Sequence, residues 1–322
     1  MAIIEAKNLS KSYTVVKNKN KGMKSLIMPQ KEIIHAVNNI DLNIEQGASF
    51  GFIGPNGAGK STTIKMLTGI LKPTDGTISV NGFSPTKQRK EYVKQIGVVF
   101  GNRSQLWWDL PAMDSFELFK EIYKIPTAIY KKNLEMFSDI LDIGDIAHKP
   151  VRQMSLGQRM RCEIAASFLH NPKIVFLDEP TIGLDLVAKE KIREFISYLN
   201  NEKKVTLLVT SHELADIVSV CRDLIVIDKG NIVYQGLMSE VADVHGRRRF
   251  IDVVLSENVT VADERIHVIL VQGIKKSMVI DLEEIAIGDL IGLLSRTAKI
   301  EDIKISSTAI EEVIKEIYMQ GR

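Results

Sequence analysis

A glycine-rich run that ends in lysine and serine gives the clearest indication of chemistry in this sequence. Its residues are Gly54, Pro55, Asn56, Gly57, Ala58, Gly59, Lys60 and Ser61, and Thr62 follows. Glycines let a loop curl so that its N–H groups face phosphate oxygens, and a helix that follows adds its positive N-terminal end. In such a loop Lys60 would reach the β- and γ-phosphates of a nucleotide, Ser61 would ligate Mg²⁺, and Thr62 would donate to the α-phosphate. We interpret residues 54–61 as a phosphate loop.

Two adjacent acids, Asp178 and Glu179, follow a short apolar run and form a second candidate centre. If that run is a buried strand, both carboxylates emerge at the carboxyl edge of a sheet, where α/β domains bind their ligands. We expect Asp178 to hold Mg²⁺ and Glu179 to act as general base on the attacking water. His212 follows another apolar run and would lie near the γ-phosphate. A lone histidine is more often structural, so this assignment depends on the other two motifs.

These groups need strands and helices that bring them to one edge. Apolar runs without alternation predict buried parallel strands over 49–53, 174–177, 205–210 and 224–227. Helical spacing predicts helices over 62–71, 115–123, 130–141, 158–169 and 187–199. Further strands over 3–13, 36–44 and 77–81 predict an antiparallel β subdomain, and 228–236 is typical of a hairpin. The fold class is therefore α/β, with a mostly parallel core sheet and a helical subdomain at about 103–170.

Beyond residue 238 the pattern changes. It predicts strands over 249–255, 265–271, 276–282 and 303–305, and helices over 287–294 and 310–318. We assign the apolar stripe of the last helix to a core rather than to an interface. The sequence thus predicts a nucleotide-binding domain over 1–238 and a small α+β accessory domain over 239–322.

The bulk composition excludes several classes of protein. The formal net charge is only +2, so no global field would steer the chain onto nucleic acid, and we expect no such partner. Cys162 and Cys221 are too few for a disulfide framework and fit a reducing compartment. No apolar run approaches the roughly 18 residues that a spanning helix needs, and the first residues do not form a secretion signal.

One local stretch, at about 15–35, is basic. Its lysines are Lys17, Lys19, Lys21, Lys24 and Lys31, against the single acid Glu32. Two interpretations are open. The stretch is either a solvated loop, or, together with Leu26, Ile27 and Met28, a patch for lipid headgroups or a membrane partner.

A third segment completes a resemblance to a known family. It consists of Met154, Ser155, Leu156, Gly157 and Gln158. With the phosphate loop and the two acids it resembles the nucleotide-binding subunits of ATP-binding cassette (ABC) transporters over about residues 1–238. The resemblance implies a P-loop NTPase cassette that binds ATP and Mg²⁺ and hydrolyses ATP. It also implies that Ser155, Gly157 and Gln158 of one subunit complete the phosphate loop of a second copy, so that a homodimer closes over two ATP molecules.

The same resemblance implies partners and further site residues. Integral membrane permeases would be separately encoded, and the chain would lie at the cytoplasmic face of the membrane, powering export of drug-like or lipid-like substrates. Tyr13 resembles the aromatic residue that stacks on adenine, the alternative being a core tyrosine. Asp185 resembles the residue that crosses the dimer interface, and His212 the histidine that contacts the γ-phosphate.

Some positions depart from the family pattern. Met154 and Leu156 replace the usual leucine and glycine. The family's Mg²⁺-contacting glutamine has no direct match: Asn102 is the best positional candidate and Gln105 competes with it. Trp107 and Trp108 lie in the segment that receives the membrane subunit in the family, although tryptophan equally often fills a core.

Two rival functions predict features that differ from those of this sequence. A soluble cassette ATPase acting on ribosomes or DNA would be expected to carry two cassettes or long coiled coils, and neither pattern occurs here. A nucleotide-binding regulator without hydrolysis would be expected to lose the carboxylate at Glu179.

Overall fold

The computed structural model describes residues 2–17, 30–101, 103–211, 213–240, 248–261 and 263–307. The chain divides into two compact units, Met1–Gln235 and Gly236–Arg322. In the described ranges, no helix is long and apolar enough to cross a membrane.

The strands and helices follow in chain order. The strands are β1 (Ala2–Lys17), β2 (Gln30–Glu45), β3 (Ser49–Ile53), β4 (Asp75–Val80), β5 (Ile96–Phe100), β6 (Ile174–Asp178), β7 (Thr206–Thr210), β8 (Asp223–Asp228), β9 (Asn231–Leu237), β10 (Arg248–Leu255), β11 (Ile266–Gln272), β12 (Lys275–Asp281) and β13 (Ile300–Ser307). The helices are α1 (Lys60–Leu67), α2 (Arg89–Tyr92), α3 (Ala112–Tyr123), α4 (Thr127–Leu141), α5 (Leu156–Phe168), α6 (Leu186–Asn201), α7 (Leu214–Val220) and α8 (Ile287–Thr297).

The first unit is built on a six-stranded sheet in the order β5-β6-β7-β3-β8-β9. The strands from β5 to β8 run parallel to their neighbours. Every residue of β3, β6 and β7 is buried, because these apolar strands are covered on both faces. The predicted α/β fold with a mostly parallel core sheet is confirmed. The carboxyl ends of β3, β6 and β7 therefore meet at one edge.

A three-stranded antiparallel sheet, in the order β2-β1-β4, completes this unit. Its side chains Ile4, Leu9 and Ile44 share one apolar core with Phe52 and Phe176 of the parallel sheet. This shared burial fixes the antiparallel sheet against the strand that leads into the phosphate loop.

The interpretation of 15–35 as a loop is wrong at both ends. Strand β1 continues to Lys17 and β2 begins at Gln30, with Thr14 opposite Ile33. β-Branched residues such as Val15 and Ile33 favour extended backbone even where they are exposed. Residues 18–29, which include Leu26, Ile27 and Met28, lie outside the described residues.

The predicted elements mostly match, with errors at their ends. Helix α1 ends at Leu67 rather than at 71, because Thr68 caps it and Gly69 has a left-handed φ of 71°. The short helices α2 and α7 were not predicted. The helix predicted over 310–318 lies outside the described residues.

The second unit has a four-stranded antiparallel sheet in the order β11-β12-β10-β13. Its core contains Ile251, Val253 and Met278 of the sheet together with Leu290 and Leu294 of α8. It is therefore an α+β unit with a core of its own.

Candidate functional site

The phosphate loop follows β3 and has a backbone that needs glycine. Gly57 and Gly59 have φ of 82° and 113°, a region that side chains disfavour. A Cβ on Gly59 would lie 2.5 Å from the Ala36 carbonyl oxygen, and one on Gly54 would lie 2.4 Å from that of Ile227. The loop is therefore clamped between β2 and β8, and α1 begins directly behind it at Lys60.

We expect Gly59→Ala to lower the free energy of unfolding by about 3 kcal/mol or more, because the left-handed strain of about 1–3 kcal/mol is joined by the clash with Ala36. Gly57→Ala is the matched control: its φ is also positive, but nothing lies within 4 Å of a Cβ there. Urea unfolding of both variants tests this. Equal losses would show that the clamp does not constrain the loop.

Lys60 lies inside the curl of this loop. Its side chain is buried, and Nζ donates hydrogen bonds to the carbonyl oxygens of Gly54 at 2.6 Å and Pro55 at 3.2 Å. Burial lowers the pKa of Lys60, and the Glu179 and Asp178 carboxylates oppose that shift. The ammonium group is thus held by the loop that would cradle phosphate.

Three side-chain oxygens from separate elements meet beside the loop. The Ser61 hydroxyl donates to Asp178 Oδ1 at 3.1 Å, and the Thr210 hydroxyl donates to the same oxygen at 2.7 Å. Carboxylate and hydroxyl oxygens are ligands that suit Mg²⁺. These residues therefore fit the Mg²⁺ expected from the sequence. The Ser61–Asp178 hydrogen bond joins the phosphate loop to the strand that ends in the two acids. The sequence predicts Thr210 only as the last residue of a strand, because no motif marks it as a site residue.

The third expected metal ligand, Asn102, and the expected γ-phosphate contact, His212, both lie outside the described residues. The competing candidate Gln105 is described. Its side-chain amide donates to the Glu163 carbonyl oxygen at 3.1 Å, so that N–H group is engaged with α5.

Glu179 is held at the end of β6 in a left-handed conformation with φ of 55°. Its N–H lies 3.1 Å from the Thr210 carbonyl oxygen and 3.0 Å from the Thr210 hydroxyl oxygen. A Cβ on Gly101 would lie 2.5 Å from the Glu179 carbonyl oxygen. Gly101, directly after β5, and Thr210 of β7 thus hold Glu179 in a strained backbone conformation. Such strain is common where a side chain must be oriented for function.

A second missed cluster fixes the segment that follows Glu179. The Thr181 hydroxyl and the Arg193 guanidinium both donate to the buried Asp216 carboxylate. Burial alone would raise the pKa of Asp216, but these donors outweigh it and hold that pKa below its ordinary value. The cluster ties this segment to α6 and α7. No sequence pattern relates the three positions.

The expected second phosphate-facing element is the start of α5. Ser155 is its N-cap: the Ser155 hydroxyl accepts from the Gln158 N–H at 3.2 Å, and the Ser155 N–H donates to Gln158 Oε1 at 3.0 Å. A Cβ on Gly157 would lie 2.8 Å from Ala188 Cβ. Asp185 caps α6 by accepting from the Ala188 N–H at 2.8 Å. The structure therefore brings Ser155, Gly157, Gln158 and Asp185 together at the starts of two adjoining helices.

Ser155 itself is exposed. Among the described residues, no hydrogen bond joins it to the phosphate loop of its own chain. A helix N-terminus with a free face can bind an anion supplied from outside the subunit.

The aromatic candidates lie on the surface. Tyr13 is 41% exposed, with Lys11 Nζ 5.3 Å from its ring centroid. Trp107 and Trp108 are half exposed, and the Arg159 guanidinium lies 5.8 Å from a Trp108 ring centroid. The alternatives that placed these three side chains in a core are wrong.

A buried carboxylate links α5 to the segment that precedes the tryptophans. Glu163 accepts hydrogen bonds from the Ser104 hydroxyl, from the Gln105 N–H at 3.1 Å and from the Leu106 N–H at 3.5 Å. Burial raises the pKa of Glu163 although these donors oppose the shift. This carboxylate connects the loop after β5 to α5, the helix that Ser155 caps.

We expect Glu163→Ala to lower the free energy of unfolding by about 1–3 kcal/mol, because it removes the acceptor of the buried Leu106 N–H and of the donors on the more exposed Ser104 and Gln105. Glu163→Gln keeps one acceptor and should cost less. The pKa of Glu163 is raised in the folded chain relative to the unfolded chain. The free energy of unfolding of wild type should therefore increase relative to that of Glu163→Gln as the pH falls through the raised pKa. Urea unfolding at several pH values measures both effects, and a pH-independent difference would contradict the second.

Comparisons with known proteins agree with this geometry. A family model described as ABC transporter matches residues 37–182. NatA, an ABC transporter ATP-binding protein of Bacillus subtilis (strain 168), is 34% identical over 212 residues, which are 66% of this chain and 86% of NatA. The bacitracin transport ATP-binding protein BcrA of Bacillus licheniformis is 34% identical over 218 residues, covering 66% of this chain and 67% of BcrA.

Solved structures show the same fold. The ATP-binding cassette MJ0796, solved as a dimer in a post-hydrolysis state with ADP and Pi, is 26% identical. The match has a TM-score of 0.62 and covers 73% of this chain and 98% of MJ0796. Ser61 of the phosphate loop contacts Asp178, and the chain matches ATP-binding subunits and a solved ATP-binding cassette. This chain therefore belongs to the ABC transporter family as an ATP-binding subunit with ATPase activity.

Proposed function

We propose that this subunit hydrolyses Mg-ATP as one half of a homodimer, and that closure of the dimer drives an integral membrane permease that exports drug-like or lipid-like molecules. Residues 1–238 would form the ATP-binding domain and 239–322 an accessory domain. The subunit would act at the cytoplasmic face of the membrane as a peripheral component.

The observation that carries the hydrolytic part is the Asp178 carboxylate, which accepts hydrogen bonds from both Ser61 and Thr210. Ser61 and Asp178, with Asn102, would hold Mg²⁺, which when bound neutralises charge developing on the phosphate oxygens. The Ser61 and Thr210 hydroxyl oxygens already lie within 3.1 Å of Asp178 Oδ1, so these groups need little reorganisation.

The nucleotide would lie along the phosphate loop. Lys60 and backbone N–H groups of the loop, which Pro55 lacks, would bind the phosphates, with Thr62 on the α-phosphate side. Tyr13 would stack on adenine, and its exposed ring supports that role. Glu179 would orient the attacking water and accept its proton, while His212 would contact the γ-phosphate.

The exposed capping box at Ser155 supports a shared site. Its hydroxyl and the first N–H groups of α5 lie where a second subunit's nucleotide could reach them, and in the described ranges they make no hydrogen bond to their own phosphate loop. Asp185, beside them, would line the same interface. Two copies related by a two-fold axis would then complete two equivalent sites.

The proposal of a drug-like substrate is supported by the similarity to BcrA, whose name records bacitracin transport. The half-exposed Trp107 and Trp108 support a permease-docking surface, since exposed tryptophans anchor interfaces. The formal net charge of +2 gives no support to the alternative of a cassette ATPase that acts on ribosomes or nucleic acid.

Purification of the natively tagged protein from solubilised membranes tests the transport proposal. Mass spectrometry should find an integral membrane protein, and the double variant Trp107→Ser with Trp108→Ser should recover several-fold less of it. Ile70→Ser, which removes a similarly exposed apolar side chain, is the matched control. Recovery of ribosomes or nucleic acid without a membrane partner would contradict the proposal.

A further inference from the structure

The second unit carries an apolar surface that the ATP site does not explain. In β11, Ile269, Leu270 and Val271 are 57%, 48% and 55% exposed. Val268 is exposed as well, and the strand contains no Asp, Glu, Lys or Arg. Contiguous exposed apolar side chains of this kind mark interaction sites.

This surface lies on an open edge. β12 pairs with one side of β11, and no other strand in the described part of the chain pairs with the opposite side. Proteins usually protect such edges with charged side chains. The other edge of the same sheet shows that protection: β13 carries Glu301, Asp302 and Lys304. The absence of charge on β11 therefore sets it apart from its counterpart.

A β-bulge makes β11 complementary to itself. Val268 lies opposite Met278, but Val271 lies opposite Lys276, with the irregularity between Val268 and Leu270. Met278 and Lys276 are two residues apart on β12, so Val268 and Val271 lie on the same face of the sheet.

Consider a second β11 running antiparallel, with the two-fold axis between Ile269 and Leu270. Val268 of one copy then lies opposite Val271 of the other, on the same face. His267 and Gln272 likewise face each other, because their partners Val279 and Lys275 lie on the other face. Aliphatic side chains meet aliphatic ones, and polar side chains meet at the ends.

We infer that two copies of this chain associate through β11, antiparallel across a two-fold axis and without nucleotide. The bulge interrupts the backbone ladder, so side-chain packing carries much of the contact. A single strand pair buries less than the roughly 1,000 Å² of a stable interface, which indicates a dissociation constant in about the micromolar range.

Sedimentation equilibrium of the full chain without nucleotide tests this. Wild type should show a monomer–dimer equilibrium, and Leu270→Lys should raise its dissociation constant by about tenfold or more, because each copy brings a charge into an apolar contact. Val218→Lys on α7, at an exposed valine of the first unit, is the matched control and should change nothing. A wild type that stays monomeric at high concentration, or a dimer indifferent to Leu270→Lys, would overturn the inference.

Cysteine pairing tests the register independently, since Cys162 and Cys221 are buried. A mixture of Val268→Cys and Val271→Cys proteins should form disulfide-linked dimers. Each variant alone should not, because identical positions lie about 10 Å apart across the axis, beyond disulfide reach. Crosslinking of either variant alone as efficiently as the mixture would overturn the arrangement. Ser155→Asp should leave this nucleotide-free dimer intact. The β11 contact and the ATP-dependent dimer can therefore be tested independently of each other.

Discussion

Glu179→Gln is expected to lower ATP turnover by at least about a hundredfold, the effect of removing a general base, while ATP still binds. The Glu179 backbone is fixed by Thr210 through hydrogen bonds that the substitution leaves in place. Glutamine has nearly the same shape but cannot take a proton from water. Phosphate release at saturating Mg-ATP measures turnover, and calorimetry measures ATP binding.

Glu190→Gln on α6 provides the matched control, because it makes the same change of charge at another acid and should leave turnover unchanged. If Glu179→Gln hydrolysed ATP at the wild-type rate, Glu179 would not be the general base. Loss of ATP binding along with turnover would show that the side chain serves the nucleotide pocket rather than the chemical step.

The second large effect is expected at Ser155. Ser155→Asp should lower turnover by at least about a hundredfold, because it replaces a donor to a developing anion with a carboxylate. ATP binding by the monomer should be nearly unchanged, since Ser155 makes no hydrogen bond to its own phosphate loop within the part of the chain that the structure describes. Aspartate is itself a good N-cap, so α5 should begin as before.

Ser155→Thr, which keeps both the cap and the hydroxyl, is the control and should retain most of the activity. Phosphate release measures turnover and fluorescence titration measures ATP affinity, so an effect on hydrolysis can be separated from an effect on binding. If Ser155→Asp weakened ATP binding by the isolated monomer as much as it lowered turnover, the site would belong to one chain and the shared-site proposal would fail.

The sequence predicted those parts of the site that depend on local pattern. The phosphate loop needs left-handed glycines and a strand and helix around it, and all of these are neighbours in the chain. Asp178 was found because it ends a buried strand. The helix start behind Ser155 was likewise predicted from adjacent residues, whereas the capping box there was found only in the structure.

The parts that the sequence did not predict depend on distant pairings. Thr210 reaches Asp178 only because β6 and β7 are adjacent and in a register that sets these two residues side by side. The Thr181, Arg193 and Asp216 cluster joins three elements in the same way. Side-chain chemistry alone does not indicate which of many hydroxyls and acids will meet.

The extended ends of β1 and β2 show a different limit. The lysines near residues 17–31 suggested a solvated loop, but β-branched residues on either side of this stretch, such as Val15 and Ile33, extend the two strands into it. Exposure and strand structure coexist at a sheet edge, so charge by itself does not locate a loop.

The central claim, an ATP site shared by two copies, is tested most directly by the mass of the Glu179→Gln chain in Mg-ATP. The Leu270→Lys background removes the nucleotide-free contact proposed for β11. Sedimentation velocity should then show a monomer without nucleotide, a dimer with Mg-ATP, and a monomer again when Ser155→Asp is added. A chain that binds ATP yet remains monomeric, or a dimer that persists with Ser155→Asp, would contradict the shared site.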